Sequence, residues 1–182
     1  GDILLYDRPT LDSLNNVDYK LGLFGNSDLP NNNKVNHHWI FWPRNPIELN
    51  NYCHNNPSDA YDNRNINTIF IGKIENNVQA QYRDLDKWRK YIDFFDIVNS
   101  TTNKYSTAEY LQLLSKSKYG LCLRGYGPKC NREIEYLALG VVLLVTDDVS
   151  LSYYNSLTEN IHYIKIKDPS DIININNITE KQ

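Results

Sequence analysis

Apolar and polar residues alternate in blocks over the second half of the chain, and these blocks have the lengths of strands and helices. The apolar runs at 67–72, 119–123 and 141–145 are too short for helices and predict buried strands. Residues 131–139 have apolar positions Ile134, Leu137 and Ala138 at helical spacing, so they predict a helix that faces the sheet and ends at Gly140.

Three further segments extend this alternation. Residues 73–92 carry apolar side chains along roughly one face of a predicted helix. Ser106 and Glu109 form a capping box that predicts the start of another helix, and 161–167 alternates as a strand does. Strand and helix therefore alternate from residue 66 to 166. This order predicts an α/β fold with a Rossmann-like parallel sheet and helices on both faces.

The N-terminal third has a different pattern, which predicts an irregular segment. Short strands are expected at 3–6 and 21–24, and loops rich in asparagine and proline at 30–33 and 50–57. We divide the chain at this change, into residues 1–65 and an α/β domain at 66–182. The first part is either the remnant of an acceptor-side region or an arm packed on the second part.

An aromatic run, HHWIFW at 37–42, stands out within this N-terminal part. Its aromatic rings could stack on a sugar ring, with a neighbouring histidine as a base. A core position for the rings, with His37 and His38 at the surface, is the favoured interpretation.

A glycine-rich basic loop joins the strand at 119–123 to the helix at 131–139. Glycines there let backbone amides approach an anion, and the following helix adds free N–H groups and the positive end of its dipole. Three cations lie in the loop or at the start of that helix. Together these features predict a phosphate-binding site. The alternative is a turn whose charges face water, since short glycine motifs often match by chance. The loop and its basic residues are Arg124, Gly125, Gly127, Lys129 and Arg132.

The sequence RGYGPKCNREIEYLALGVVLLVTDD resembles the signature of exostosin-like glycosyltransferases and related GT-B enzymes. In that signature a strand leads through Arg-Gly-x-Gly-Pro into a helix bearing Arg and Glu, and then into a Gly-x-Val-Pro-Val strand. Leu143 departs from the pattern, because it replaces the proline of that strand. The matching positions are Arg124, Gly125, Gly127, Pro128, Arg132, Glu135, Gly140 and Val142.

The resemblance implies a nucleotide-sugar site. Glu135 would hold the ribose, and the basic side chains would hold the diphosphate. The upstream strand, glycine turn and helix are similar to the first part of the same nucleotide-binding half, so Lys73 and Arg83 become further phosphate-side candidates. For Arg83 the alternative, a solvated helix cation, is slightly favoured.

The function implied is transfer of a sugar from a UDP- or GDP-sugar to a hydroxyl of a glycan or protein. The alternative is a non-catalytic nucleotide- or glycan-binding module with a degenerate glycosyltransferase fold. No cofactor is expected beside the donor substrate, and no metal is expected because GT-B enzymes generally need none. The catalytic residues, the donor sugar and the stereochemical outcome are not assigned. A complete GT-B enzyme has two domains, so we expect either a second domain outside these 182 residues or a reduced transferase.

The composition of the chain limits the classes of partner that it can bind. A net charge of −3 argues against a nucleic-acid surface. The sequence contains no run of about 20 apolar residues, so no membrane span is predicted. A cytoplasmic location is expected, or the secretory pathway if a signal or anchor lies outside the segment.

The three cysteines lack zinc or disulfide spacing. Cys130, at a helix N-terminus, is considered as a nucleophile and disfavoured because no histidine context accompanies it.

Overall fold

The computed structural model describes residues 3–6, 19–22, 35–36, 43–57, 60–72, 83, 96–99, 104–125, 129–151, 157–172 and 175. Three short N-terminal strands form a parallel sheet in the order β1-β2-β3. They are β1 (Ile3–Tyr6), β2 (Tyr19–Gly22) and β3 (Val35–Asn36). The first lies where the sequence predicts it, and the second lies at 19–22 rather than 21–24. The aromatic run at 37–42 falls outside the described residues.

A second sheet contains five parallel strands in the order β5-β4-β6-β7-β8. In chain order these strands are β4 (Ile66–Gly72), β5 (Asp96–Asn99), β6 (Ser117–Cys122), β7 (Val142–Val145) and β8 (Tyr163–Lys165). Ile69 lies opposite Gly120, and Gly120 lies opposite Leu143, so the three predicted apolar strands are direct neighbours. The predicted parallel sheet is confirmed.

Within the described residues, three α-helices accompany the sheet: α1 (Pro46–Asn55), α2 (Thr107–Ser115) and α3 (Asn131–Ala138). The predicted capping box of α2 is present, because the Ser106 side chain accepts from the Glu109 amide while the Glu109 carboxylate accepts from the Ser106 amide. The helix α3 is followed by Gly140 at φ +67°, a left-handed conformation that glycine adopts without strain.

Successive side chains of the five-stranded sheet point to opposite faces and form two apolar layers. One face, with Ile69, Ile71 and Leu143, packs against all three helices. The other face includes Leu121, Leu144 and Ile166, and a short helical segment at 170–172 places Ile172 against it. The chain therefore has the predicted α/β architecture, with helical residues on both faces.

The loop predicted at 50–57 is wrong, because residues up to Asn55 belong to α1. Pro46 occupies the first turn, where its missing N–H costs nothing. Leu49 is buried against the sheet, and Tyr52 and Cys53 pack beside it. Asparagine favours turns over helices only weakly, and burial of this apolar edge outweighs that preference. Residues 46–55 are thus packed on the α/β part of the chain.

The predicted buried face of α3 is also wrong. Ile134 and Leu137 are only half-buried and Ala138 is exposed, whereas Glu133, Glu135 and Tyr136 are buried. The Tyr136 ring lies directly over Gly120, where a Cβ atom would come within 2.4 Å of it. The Tyr136 hydroxyl donates to the Ile69 carbonyl at 3.2 Å. Packing of this ring turns two carboxylates of α3 inward.

Arg64 is a buried cation that stabilises the end of α3. Its Nη1 donates to the carbonyls of Ser117 at 2.8 Å and Gly140 at 2.9 Å. Its Nη2 donates to the carbonyl of Leu139 at 2.9 Å. A cation near helix C-terminal carbonyls interacts favourably with the dipole, so Arg64 joins α3 to the start of β6.

Candidate functional site at the carboxyl ends of β4 and β6

The strand order places a topological switch point between β4 and β6. The chain leaves β4 toward β5 on one side, and the later strands β6, β7 and β8 continue on the other. In open α/β sheets, ligands bind in the crevice outside the carboxyl ends of the strands at such a point. Here those ends are Gly72 and Cys122, and the basic loop follows directly after β6.

The structure describes part of this loop. Arg124, Gly125, Lys129 and Cys130 are described, whereas Gly127 and the upstream candidate Lys73 lie outside the described residues. Gly125 is buried, and a Cβ atom there would lie 2.8 Å from the Cys130 sulfur. A side chain at this position would push the loop away from the helix that follows. Its glycine therefore has a packing role.

Arg132, in the first turn of α3, reaches across to the end of β4. Its Nη2 donates to the Ile71 carbonyl at 3.1 Å, and its Cζ lies 4.4 Å from the centre of the Phe70 ring. The Nε and Nη1 atoms are buried and have no hydrogen-bond partner among the described residues. Two buried N–H donor groups of a cation are thus unsatisfied at the switch point, which is costly unless a ligand or water accepts from them.

Arg83 lies beside Arg132 and is 5% exposed. Its Nε donates to the Arg124 carbonyl at 2.9 Å, and its Cζ lies 5.5 Å from the Phe70 ring centre. Burial, together with the neighbouring charge of Arg132, lowers the pKa of Arg83 to about 10. The favoured interpretation of Arg83 as a solvated helix cation is wrong. Arg83 therefore remains a candidate site residue, as a buried cation.

Lys129, which lies in the loop itself, is a second buried cation, with 3% of its surface exposed. Burial lowers the pKa of its ammonium group to about 8. An approaching anion would favour the charged form and reverse part of this shift. Near neutral pH the loop therefore still presents a positive charge at Lys129.

Glu133 is the carboxylate buried among these cations. Its Oε2 accepts from the backbone N–H of Cys130, and its Oε1 has no hydrogen-bond partner within the described part of the chain. Burial raises the pKa of Glu133 to about 7, although the charge of Arg132 acts in the opposite direction. At neutral pH it therefore compensates only part of the positive charge at this edge of the sheet.

Glu135 does not project into an open cleft, as the ribose role requires. The residue is 4% exposed. Its Oε1 accepts from the Arg44 backbone N–H at 2.9 Å, and its Oε2 accepts from the Tyr110 hydroxyl. Burial, together with the Glu135 charge, raises the pKa of Tyr110, which keeps the hydroxyl protonated as the donor. Glu135 thus joins α3 to α2 and to the residues before α1.

Cys130 lies just before α3, but its surroundings do not activate it. Burial raises the pKa of the thiol to about 11, with the Glu133 charge acting in the same direction. A nucleophilic cysteine needs the thiolate at neutral pH. The disfavoured nucleophile interpretation therefore has no support in the geometry.

The described ranges contain neither a metal-binding cluster nor a membrane-spanning helix. No group of three or more His, Cys, Asp or Glu side chains is placed to hold a metal ion in those ranges. Among the helices described, none has both the length and the apolar character needed to cross a membrane.

Comparison of the chain with known protein families finds no matching family model, and neither the curated proteins nor the solved structures give a match. A functional assignment therefore depends on the residues and geometry of the chain itself.

The sequence predicts the basic loop but not the residues that shape it. Phe70 and Tyr110 read as ordinary apolar positions of a strand and a helix, and Glu133 carries no motif of its own. The capping-box spacing between Cys130 and Glu133 gives a partial signal, since it predicts that a residue three positions into the helix bonds back to the amide before it. Nothing in the sequence predicts the contact between Glu135 and Tyr110.

Proposed function

We propose that this chain is the nucleotide-sugar-binding domain of a GT-B-type glycosyltransferase, which transfers a sugar from a UDP- or GDP-sugar to a hydroxyl acceptor. The observation that carries the proposal is the pair of unsatisfied N–H groups of Arg132, Nε and Nη1, at the switch point. Separate phosphate oxygens accepting from these two nitrogens would remove the cost of leaving them buried without partners.

The charge balance supports a diphosphate in particular. Arg83 and Lys129 are buried near Arg132, and Arg124 follows β6 directly. Glu133 opposes them with a carboxylate that is only partly ionised at neutral pH. The first turn of α3 adds the positive end of its dipole. An excess of several positive charges suits a small phosphorylated ligand with more than one negative charge.

The proposed chemistry is stabilisation of the leaving group. When the bond between the sugar and the diphosphate breaks, negative charge develops on the departing phosphate oxygen. Preorganised guanidinium and ammonium groups in a partly buried site stabilise that charge more strongly than water does. Arg124, Lys129, Arg132 and the α3 N-terminus would provide this effect. The base that activates the acceptor hydroxyl is not assigned to any residue.

A second candidate is a non-catalytic nucleotide-binding module, and the position of Glu135 favours retaining it. Both oxygens of that carboxylate are engaged by Tyr110 and Arg44, so the ribose contact that the resemblance implies is not preformed. A module that has kept the phosphate site and lost the remaining contacts would have this arrangement.

Two measurements on the whole chain separate these functions. A thermal-shift panel of UDP- and GDP-sugars identifies the best ligand, and incubation with that ligand then measures release of nucleoside diphosphate. The transferase predicts stabilisation by a nucleotide sugar together with its hydrolysis or transfer. Stabilisation without turnover, in the presence of mixed glycan acceptors, indicates the binding module. No stabilisation by any nucleotide sugar contradicts both.

A further inference from the structure

Phe70 occupies a special place in β4, below the candidate site. Its side chain is completely buried on the sheet face that also carries Leu121 and Leu144. Two residues further on, at the end of the strand, Gly72 has no side chain to cover it. A Cβ atom at Gly72 would lie 2.8 Å from both the Phe70 Cζ and the Arg132 Nη2. The missing side chain thus lets the guanidinium group lie on the ring.

Two guanidinium groups contact this one ring. The Cζ of Arg132 lies 4.4 Å from the ring centre, and that of Arg83 lies 5.5 Å away. The two arginines come from different segments, one from α3 and one after β4. Their charges repel, since Arg132 contributes to lowering the pKa of Arg83. The Glu133 carboxylate opposes part of this repulsion, and the Phe70 ring opposes it further.

An aromatic ring compensates in a way that a carboxylate cannot. The negative face of its π system attracts both cations without accepting their N–H groups in ordinary hydrogen bonds. A carboxylate in the same place would accept from those groups and compete with an incoming phosphate. The ring therefore holds the charges together and leaves Nε and Nη1 of Arg132 available.

We propose that Phe70 is a positioning residue, which holds Arg132 next to Arg83 so that the Arg132 guanidinium group can bind the phosphate groups of the ligand. This inference rests on the proposed function, because it assigns to the ring the task of preorganising that anion site. The ring itself does not touch the ligand.

A plain core role is the competing explanation, and simple truncation does not separate the two. Phe70→Leu would lower stability as well as affinity, because it removes buried volume. Stepwise fluorination of the Phe70 ring is sharper, since it weakens the negative π face while nearly preserving the shape. We therefore suggest incorporating mono-, di- and trifluorophenylalanine at position 70 of the whole chain.

The affinity for the best UDP- or GDP-sugar is measured by calorimetry, and the melting temperature is measured on the same samples. A positioning role predicts a progressive loss of affinity, roughly threefold to tenfold for the trifluoro ring, together with a modest fall in melting temperature because the ring also holds the two cations in the folded protein. Constant affinity across the series, with wild-type protein that binds, overturns the role of Phe70 and leaves the proposed function standing. Wild-type protein that binds no nucleotide sugar overturns both.

Discussion

The Nη2 atom of Arg132 donates a 3.1 Å hydrogen bond to the carbonyl oxygen of Ile71, which joins the first turn of α3 to the carboxyl end of β4. This single contact fixes the direction of the guanidinium group. Its other nitrogen atoms, Nε and Nη1, are buried at the switch point without a partner among the residues described. The site is therefore shaped before any ligand arrives, with one donor used for positioning and two nitrogens remaining.

Glu135 has a structural role in this arrangement, and its replacement should lower stability. Glu135→Gln puts an amide NH₂ group against one of two donors, the Tyr110 hydroxyl or the Arg44 N–H. We expect a loss of about 1.5–3 kcal/mol, which corresponds to several degrees in melting temperature. Tyr110→Phe should cause a similar loss, and the double variant should lose less than the sum of both.

The exposed Glu159 offers a matched control, since Glu159→Gln makes the same chemical change at the surface. Thermal unfolding of the four variants, with nucleotide-sugar affinity measured on each, tests this role. An unchanged melting temperature in Glu135→Gln, combined with weaker binding, would instead support the ribose contact that the family resemblance implies.

Glu133 should make stability depend on pH in a particular direction. Burial raises its pKa from an ordinary value of 4.5 to about 7, so the folded protein binds a proton that the unfolded chain has released. Stability from this group is complete below about pH 4.5 and is lost as the pH rises toward 7. The difference corresponds to a free energy of unfolding on the order of 3 kcal/mol.

Glu133→Gln is neutral at every pH and should remove this dependence. Denaturant unfolding at pH 5, 6, 7 and 8 measures it. We expect the wild-type protein to lose stability relative to Glu133→Gln over this range, while Glu159→Gln follows the wild type. Parallel curves for wild type and Glu133→Gln would mean that the carboxylate ionises as an exposed one does.

Lys129 should make ligand affinity depend on pH in the alkaline range. Burial lowers its pKa to about 8, and a bound phosphate favours the charged form. Binding then takes up a proton above pH 8, so affinity should fall by up to about tenfold per pH unit there. A nucleotide sugar is the right probe, because its diphosphate diester does not titrate in this range.

Lys129→Arg is the matched variant, because arginine keeps its charge throughout. Calorimetric titrations at pH 7, 8 and 9 should show an affinity that falls for the wild type and stays nearly constant for Lys129→Arg. The same fall in both proteins would place the titrating group elsewhere.

The sequence predicts the sheet well because its signals are local. The runs around Phe70, Leu121 and Leu144 are short, strongly apolar and bounded by glycine or polar residues, and such patterns are typical of buried parallel strands. Gly140 and the Ser106 capping box mark helix ends through backbone chemistry, which depends on neighbouring residues alone. These elements are confirmed.

The errors arise where tertiary packing outweighs local preference. The helix α1 is rich in asparagine and forms because Leu49 and Tyr52 pack against the rest of the fold. The strand β5 was not predicted, since Ile97 and Val98 give only two apolar positions. On α3, the ring of Tyr136 over Gly120 decides which side is buried, and periodicity of apolar residues cannot show this.

The candidate site shows the same division between local sequence signals and long-range packing. The loop cations are visible in the sequence because a glycine-rich basic loop between a strand and a helix is a local pattern. The partners of Arg83 and Glu135 are not visible, because they lie 41 and 25 or more positions away along the chain. Burial of Arg83 changes its interpretation from a surface cation to a member of the site.

The most direct test of the account is the affinity of Arg132→Ala for the best UDP- or GDP-sugar. Arg132 is predicted to give charge-assisted hydrogen bonds to the diphosphate, so its loss should weaken binding roughly tenfold to a hundredfold. Lys118→Ala serves as the control, because it removes one positive charge near the amino end of β6. That end of the strand lies opposite the carboxyl end where the candidate site is. Calorimetry should give weak binding for Arg132→Ala and wild-type affinity for Lys118→Ala. Equal affinity of all three proteins would contradict an anion site at the carboxyl ends of β4 and β6.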